Sequence, residues 1–123
     1  MKKQMVMVLA TMLVAGLGVC AVNAEGETKK AAMVTSQALG DKGVTDNTYE
    51  GFLKACEEFG YEPTVIEAEA GEYEESLRAL CQEDYDVIVP CWSAMEDACA
   101  KVSAEFPDNE FIMVFSEIEL PNV

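Results

Sequence analysis

Four times between residues 31 and 115 the chain runs through a short apolar, β-prone segment, and between successive segments its apolar residues recur every three or four positions. The short segments are Ala31 to Thr35, Glu62 to Glu67 with its β-branched Thr64-Val65-Ile66, Asp86 to Val89, and Phe111 to Phe115. The periodic stretches carry first Tyr49, Phe52, Leu53, Cys56 and Phe59, then Tyr73, Leu77, Leu80 and Cys81, and last Met95, Ala98, Cys99, Val102 and Phe106. Strands that alternate with helices through short connections leave little choice of architecture. Each helix must return the chain to the starting edge of the next strand, which makes the strands parallel and lays the helices on the sheet faces. The pattern predicts a three-layer, Rossmann-like α/β sheet with strand order 2-1-3-4.

The helix ends are marked by local chemistry. Asn47 followed by Glu50 predicts a capped start for the first helix and Gly60 its end, while Ser93 with Glu96 predicts a capping box for the third, which Pro107 stops. The acidic run Glu67 to Glu72, with Gly71, leads into the second helix and reads as a solvated helix entry rather than a cation site. In a sheet of this order ligands sit beyond the carboxyl ends of the strands, at the point where strand order reverses. That geometry makes the loop from Ser36 to Asp46 and the turn at Trp92 and Ser93 the candidate binding elements. Ser36, Gln37, Asp41, Thr45, Trp92 and Ser93 are the candidate ligand contacts. Each has a plainer role beside it. Asp41 can fix a turn between Gly40 and Gly43, Ser93 can serve as a helix cap, Trp92 can fill an interior, and Ser36, Gln37 and Thr45 can be ordinary loop residues.

The first 24 residues stand apart from this domain. Lys2 and Lys3 precede the apolar run Met5 to Val19, and Val22-Asn23-Ala24 places small residues where a signal peptidase reads them, so residues 1–24 are expected to direct export. The run is shorter than the ~20 residues that span a bilayer. Leu17-Gly18-Val19-Cys20 is a second, imperfect processing signal, a lipobox that would make Cys20 a lipidated first residue, with Val19 where Gly, Ala or Ser is usual. Removing the leader with its two lysines leaves 6 basic against 23 acidic residues, a net −17, which excludes nucleic acid and anionic membrane surfaces as natural partners. Any membrane attachment would run through the lipid alone.

No histidine is present, and Cys56, Cys81, Cys91 and Cys99 show no C-x-x-C spacing, so neither a metal nor a cofactor is expected. Three of the four fall on apolar helical positions; Cys91 follows a strand. They could pair in any of three ways or remain free under reducing conditions. After the fourth strand, Ser116 to Val123 contains Pro121 and Asn122 but no helix to cover the far side of strands three and four. The expectation is a partial lobe, residues 25–123, with apolar surface left uncovered.

Several short motifs in order carry a resemblance. Tyr85-Asp86-Val87-Ile88-Val89, Met95-x-Asp97-Ala98, Val102-x-x-Glu105-Phe106-Pro107-Asp108, Phe111-Ile112 and Leu120-Pro121-Asn122-Val123 resemble the amino-terminal lobe of the basic membrane protein family, substrate-binding lipoproteins of ABC transporters similar to purine nucleoside receptors. Val34-Thr35, Asp41-Lys42 and Glu50-Gly51 fall where that family has V-T-D, D-K-S-F-N and W-E-G. The resemblance implies the amino-terminal lobe of a type I periplasmic binding protein. It departs at the ligand: Ser36, Val44 and Thr45 stand where the family has its purine-contacting acid, stacking Phe and Asn, and Pro90-Cys91-Trp92-Ser93 replaces a glycine-rich turn. An aromatic platform under a base contributes ~1 to 3 kcal/mol, so the missing Phe weakens a nucleoside unless Trp92 takes its place.

Three functions follow as expectations. The first is an exported, periplasmic or cell-surface receptor that is not an enzyme, binds a small polar or ring-bearing solute with a nucleoside as first guess, and delivers it to ABC permease subunits. The second is an exported α/β enzyme with Cys91 as nucleophile, handicapped by the lack of a histidine to activate the thiol. The third is a non-functional truncated fragment.

Overall fold

The computed structural model describes residues 26–123, so the leader expected over 1–24, with Cys20, lies outside the described residues. Four strands, β1 (Lys29–Thr35), β2 (Tyr61–Glu67), β3 (Val87–Cys91) and β4 (Glu110–Phe111), alternate with the helices α1 (Val44–Phe59), α2 (Tyr73–Gln82) and α3 (Glu96–Glu105). They form one parallel sheet in the order β2-β1-β3-β4, the order the alternation predicts.

β1 is the central strand, and Ala32, Met33, Val34 and Thr35 are all fully buried. Successive side chains of a strand point to opposite faces. Ala32, Val34 and Ile88 accordingly join Leu77, Leu80, Met95, Cys99, Val102 and Phe111 in one core beneath α2 and α3. Ala31 points the other way, toward Phe52 and Cys56 of α1. Across the α2–α3 seam Arg78 makes a two-pronged ion pair with Glu105, with Nε and Nη2 each 2.7 Å from a carboxylate oxygen.

Several boundaries differ from the sequence expectation, each for a physical reason. β1 begins at Lys29, not Ala31, because Lys29 and Lys30 continue the ladder opposite Tyr61 and Glu62. Their ammonium groups lie over aromatic rings, 5.5 Å from Tyr61 and 4.7 Å from Tyr85, which makes polar residues compatible with a strand start. α1 begins at Val44, and Asn47 is an interior residue rather than its cap.

β4 is shorter than the predicted Phe111 to Phe115, and Pro90 explains it. In a parallel ladder a residue's N–H and C=O point to the same neighbour. The Pro90 carbonyl accepts the Val114 N–H at 2.9 Å, so its ring nitrogen, which has no hydrogen to give, also faces β4. The ladder breaks there and resumes only as an isolated bridge between Cys91 and Val114.

The residues after β4 return to the domain. Asn122 Nδ2 reaches the carbonyls of Ser103, Phe106 and Asn109 at 3.0 to 3.2 Å, and the Asn122 carbonyl accepts the Phe111 N–H at 2.9 Å. One side chain thus ties together carbonyls at and just beyond the end of α3. Val123 packs on the α2–α3 core. On the opposite face no described helix covers β3 and β4, and an apolar groove of 410 Å³ runs there between Phe52, Cys56 and Phe59 of α1 and Val87, Val89 and Ile112.

Candidate functional site

All four strands point the same way, so the segments that follow them share one edge of the sheet. The loop after β1 is built by two aspartates. Asp41 accepts the N–H groups of Gly43 at 2.7 Å and of Thr45 and Asp46 at 3.2 Å, while Asp46 accepts those of Gly40 at 2.7 Å and Lys42 at 2.8 Å. This exchange satisfies the open donors at the start of α1 and removes any need for the cap expected at Asn47. The bond from Gly43, above all, holds the Asp41 carboxyl below the ordinary carboxylate range. A Cβ on Gly43 would stand 3.3 Å from Asp41 Oδ2, so a larger residue there would press the carboxylate back by a few tenths of an ångström. Thr45 is buried at 2% exposure. Asp41 and Thr45 therefore build the loop.

Ser36 and Gln37 come directly off β1. Thr35 Oγ1 accepts the Gln37 N–H and donates to the Gln37 carbonyl, both at 3.1 Å, which pins the turn and leaves the Gln37 side chain exposed. Both residues line a cleft of 530 Å³ together with Glu67, Glu69 and Tyr73, against the loop after β2.

The turn after β3 differs from its sequence reading. Ser93 opens a short 3-10 turn, Ser93–Met95, without a side-chain cap bond, and Glu96 turns instead to Ser116, whose Oγ donates to it at 2.7 Å. Trp92 has a φ of 83°, a left-handed conformation rare for a bulky side chain. Its N–H donates to the Val114 carbonyl at 2.8 Å, and its ring lies against that of Phe115 with centroids 4.5 Å apart and planes 16° apart. Ser93 and Phe115 line a second cleft of 680 Å³ with Glu96, Ser116, Glu117 and Ile118. Trp92 is not among the residues lining either cleft.

Two buried side-chain polar atoms lack a hydrogen-bond partner among the described residues, Ser36 Oγ and Trp92 Nε1. They belong to neighbours. Thr35 and Cys91 are paired across β1 and β3, so Ser36 and Trp92 are the next residues on adjacent strands, where the strand order reverses. Cys91 just beneath is fully buried, and burial pushes its thiol up to about 11, the reverse of what a nucleophile requires.

Sequence reasoning placed Ser36, Gln37 and Ser93 at the carboxyl edge, and they lie there. The same edge also holds Phe115, Ser116 and Glu96, which the sequence reading did not single out as candidate contacts. The signal was present, for Phe115 and Ser116 mark the change from apolar to polar at the carboxyl end of the fourth β-prone run, where ligands of such sheets lie.

Comparison with known proteins agrees with the fold. The model of the family described as ABC transporter substrate-binding protein PnrA-like matches residues 28–119, about three-quarters of the chain. Among solved structures, a candidate lipoprotein from Peptoclostridium difficile 630, itself a fragment, is 14% identical with a TM-score of 0.67, over 76% of this chain and 79% of that one. ABC transporter solute-binding proteins from Conexibacter woesei DSM 14684 and Aeropyrum pernix K1 are 20% and 19% identical, with TM-scores of 0.62 and 0.68. They match over 68% and 75% of this chain but only 28% and 26% of their own, so the chain spans about a quarter of their length. At these identities the likeness establishes the fold; the family match over most of the chain establishes more, and the chain belongs to the PnrA-like family of ABC transporter substrate-binding proteins.

Proposed function

We propose that this chain is a ligand-binding lobe of an exported receptor that captures a small polar or ring-bearing solute, a nucleoside as first guess, and presents it to the permease subunits of an ABC transporter. Substrate-binding proteins of such systems work outside the cytoplasm. The observation that carries the reading is the pair of unpartnered atoms, Ser36 Oγ and Trp92 Nε1, at the switch point of the sheet. A buried polar group without a partner costs about 1–3 kcal/mol, and folded proteins keep few of them. A ligand offering an acceptor to the indole N–H and a hydrogen bond to the hydroxyl would relieve both.

In this role Ser36, Gln37 and Ser93 supply hydrogen bonds and Trp92 its indole N–H, while Asp41 and Thr45 hold the loop that presents Ser36. No bond is made or broken; the work is capture, completed by closure against a second lobe. With crevices open to solvent, the chain alone is predicted to bind nucleosides more weakly than ~10 µM, since the fixed cost of immobilising a ligand is met by fewer contacts. Residues 1–24 act as the export leader, with lipidation at Cys20 the alternative to cleavage after Ala24. The mass of the exported chain separates the two.

The test is titration calorimetry with nucleosides, sugars and amino acids on the chain and on Ser36→Ala and Trp92→Phe. Each substitution is expected to weaken the bound solute at least about fivefold, ~1 kcal/mol. If both leave its affinity within twofold, these atoms are not ligand contacts and the reading fails.

A further inference from the structure

Four described non-glycine residues have a left-handed backbone: Lys42, Asp84, Trp92 and Phe115. Lys42 and Asp84 lie outside the strands and helices, in short polar connections where this conformation is easily accommodated. Trp92 and Phe115 are bulky aromatics, for which it is strained. They occupy matching places, each just after one partner of the Cys91–Val114 bridge. The two turns lay the rings on one another, 4.5 Å between centroids. Trp92 is the inner, half-buried member with its unpartnered Nε1, and Phe115 is the outer one, 48% exposed and lining the 680 Å³ cleft. The stack on Trp92 holds the Phe115 ring in place on one face and, at the cost of a strained backbone, leaves the other turned to the cleft.

The charge around it is one-sided. Glu96 and Glu117 line the same cleft, and among the described residues no lysine or arginine does. Glu96 is anchored by Ser116 Oγ at 2.7 Å, and that hydroxyl in turn accepts the Ile118 N–H at 3.1 Å, so the carboxylate is held in place beside the ring.

Resting on the receptor reading above, the geometry points to Phe115, backed by Trp92, as the stacking platform of the ligand cleft. With Glu96 and Glu117 it selects a planar ring that carries a positive charge or N–H donors over the same ring bearing a carboxylate or phosphate. The stack supplies a rigid flat surface, and the carboxylates attract an electron-poor edge and repel an anionic one. The site thus ranks one heterocycle by its charge, cation over neutral over anion.

Three probes with one ring isolate the charge: 1-methylnicotinamide (cation), nicotinamide (neutral) and nicotinate (anion). Calorimetry on the full chain is expected to rank them in that order, with the cation at least about tenfold tighter than the anion. Phe115→Ala is expected to weaken the cation by about tenfold, in line with the loss of a stacking face, and Phe115→Tyr to restore it. Glu96→Gln with Glu117→Gln should remove the ranking while the rings still bind. Near-UV dichroism of the single tryptophan confirms that each variant is folded. If Phe115→Ala binds the cation as tightly as the parent while Ser36→Ala weakens it, the platform is misassigned and the receptor reading stands. Equal affinity for all three probes overturns the charge selection. No binding of any of them, with some other solute bound and sensitive to Ser36→Ala, overturns the platform alone; no solute bound at all removes it together with the receptor reading.

Discussion

Asp41 shows how much one side chain can organise. Its carboxylate gathers three N–H groups at the start of α1, and the bond from Gly43 leads the effects that hold its pKa down. A carboxyl whose folded pKa lies below the unfolded value of ~3.9 contributes stability above that value and loses it as the pH falls through the folded pKa. Asp41→Asn is therefore expected to melt at a lower temperature than the parent at pH 7. The gap should narrow once the pH drops below the ordinary carboxylate range, where the parent is protonated too. Thermal melts followed by far-UV dichroism across that range check it; a gap independent of pH would mean that the charge is not what caps the helix. At this scale the sequence was only partly legible. Asp41 is recognisable as a turn former between two glycines, but that it takes over the capping of a helix three residues away depends on loop geometry no spacing rule encodes. Trp92 was identifiable as the aromatic at the switch point. Its partner Phe115 was visible only as the last residue of the fourth β-prone run; that it turns back onto Trp92 through a left-handed backbone is the outcome of the fold and contradicts local preference.

Elements were read best where burial dictated them. The three helices and four strands, their parallel order and the core beneath the second and third helices followed from apolar periodicity, whereas Phe59 on the apolar face of α1 is 67% exposed, because a residue's side of a helix decides its burial only where the helix lies on the sheet. Termini followed less well, since they depend on which nearby polar group wins the open N–H and C=O groups. Asn47 is the test case. Its pairing with Glu50 looks like a capping box, yet it lies in the first turn of α1 with its own N–H bonded to the Gly43 carbonyl at 3.1 Å. Asn47→Ala is thus expected to leave stability unchanged or raise it by up to ~0.5 kcal/mol through helix propensity. Loss of a true cap would cost ~1 kcal/mol. Urea unfolding of the variant distinguishes the two, and a loss near the second figure would return the helix start to Asn47. The shortened β4 has a similar origin: Pro90 was visible in the sequence, but which neighbour its missing N–H faced was not.

For the whole molecule the decisive feature is the asymmetry of the two sheet faces. Beneath α2 and α3 the core closes completely, with Leu77, Ile88, Met95 and Val102 at 0% exposure, and the turn at Asn122 seals its end. On the other face α1 lies over β1 and β2, leaving Val87, Val89 and Ile112 beside a 410 Å³ groove, with Phe59 67% and Ile112 49% exposed. Uncovered apolar surface on this side was expected from the sequence, because Ser116 to Val123 offers no helix to cover the far side of strands three and four. Contiguous apolar surface in water attracts apolar molecules without regard to their identity. The folded chain is accordingly predicted to bind an environment-sensitive dye such as anilinonaphthalene sulfonate at neutral pH, while Trp92 keeps its near-UV signal. Phe59→Gln with Ile112→Gln should cut the dye emission by more than half. Because both side chains are largely in water already, the pair should change stability by no more than about 1 kcal/mol, a few degrees in Tm for a domain of this size. Undiminished dye binding in the double variant would place the exposed apolar surface elsewhere. A drop in Tm well beyond those few degrees would mean that Phe59 and Ile112 pack against each other across the groove more firmly than their exposure indicates.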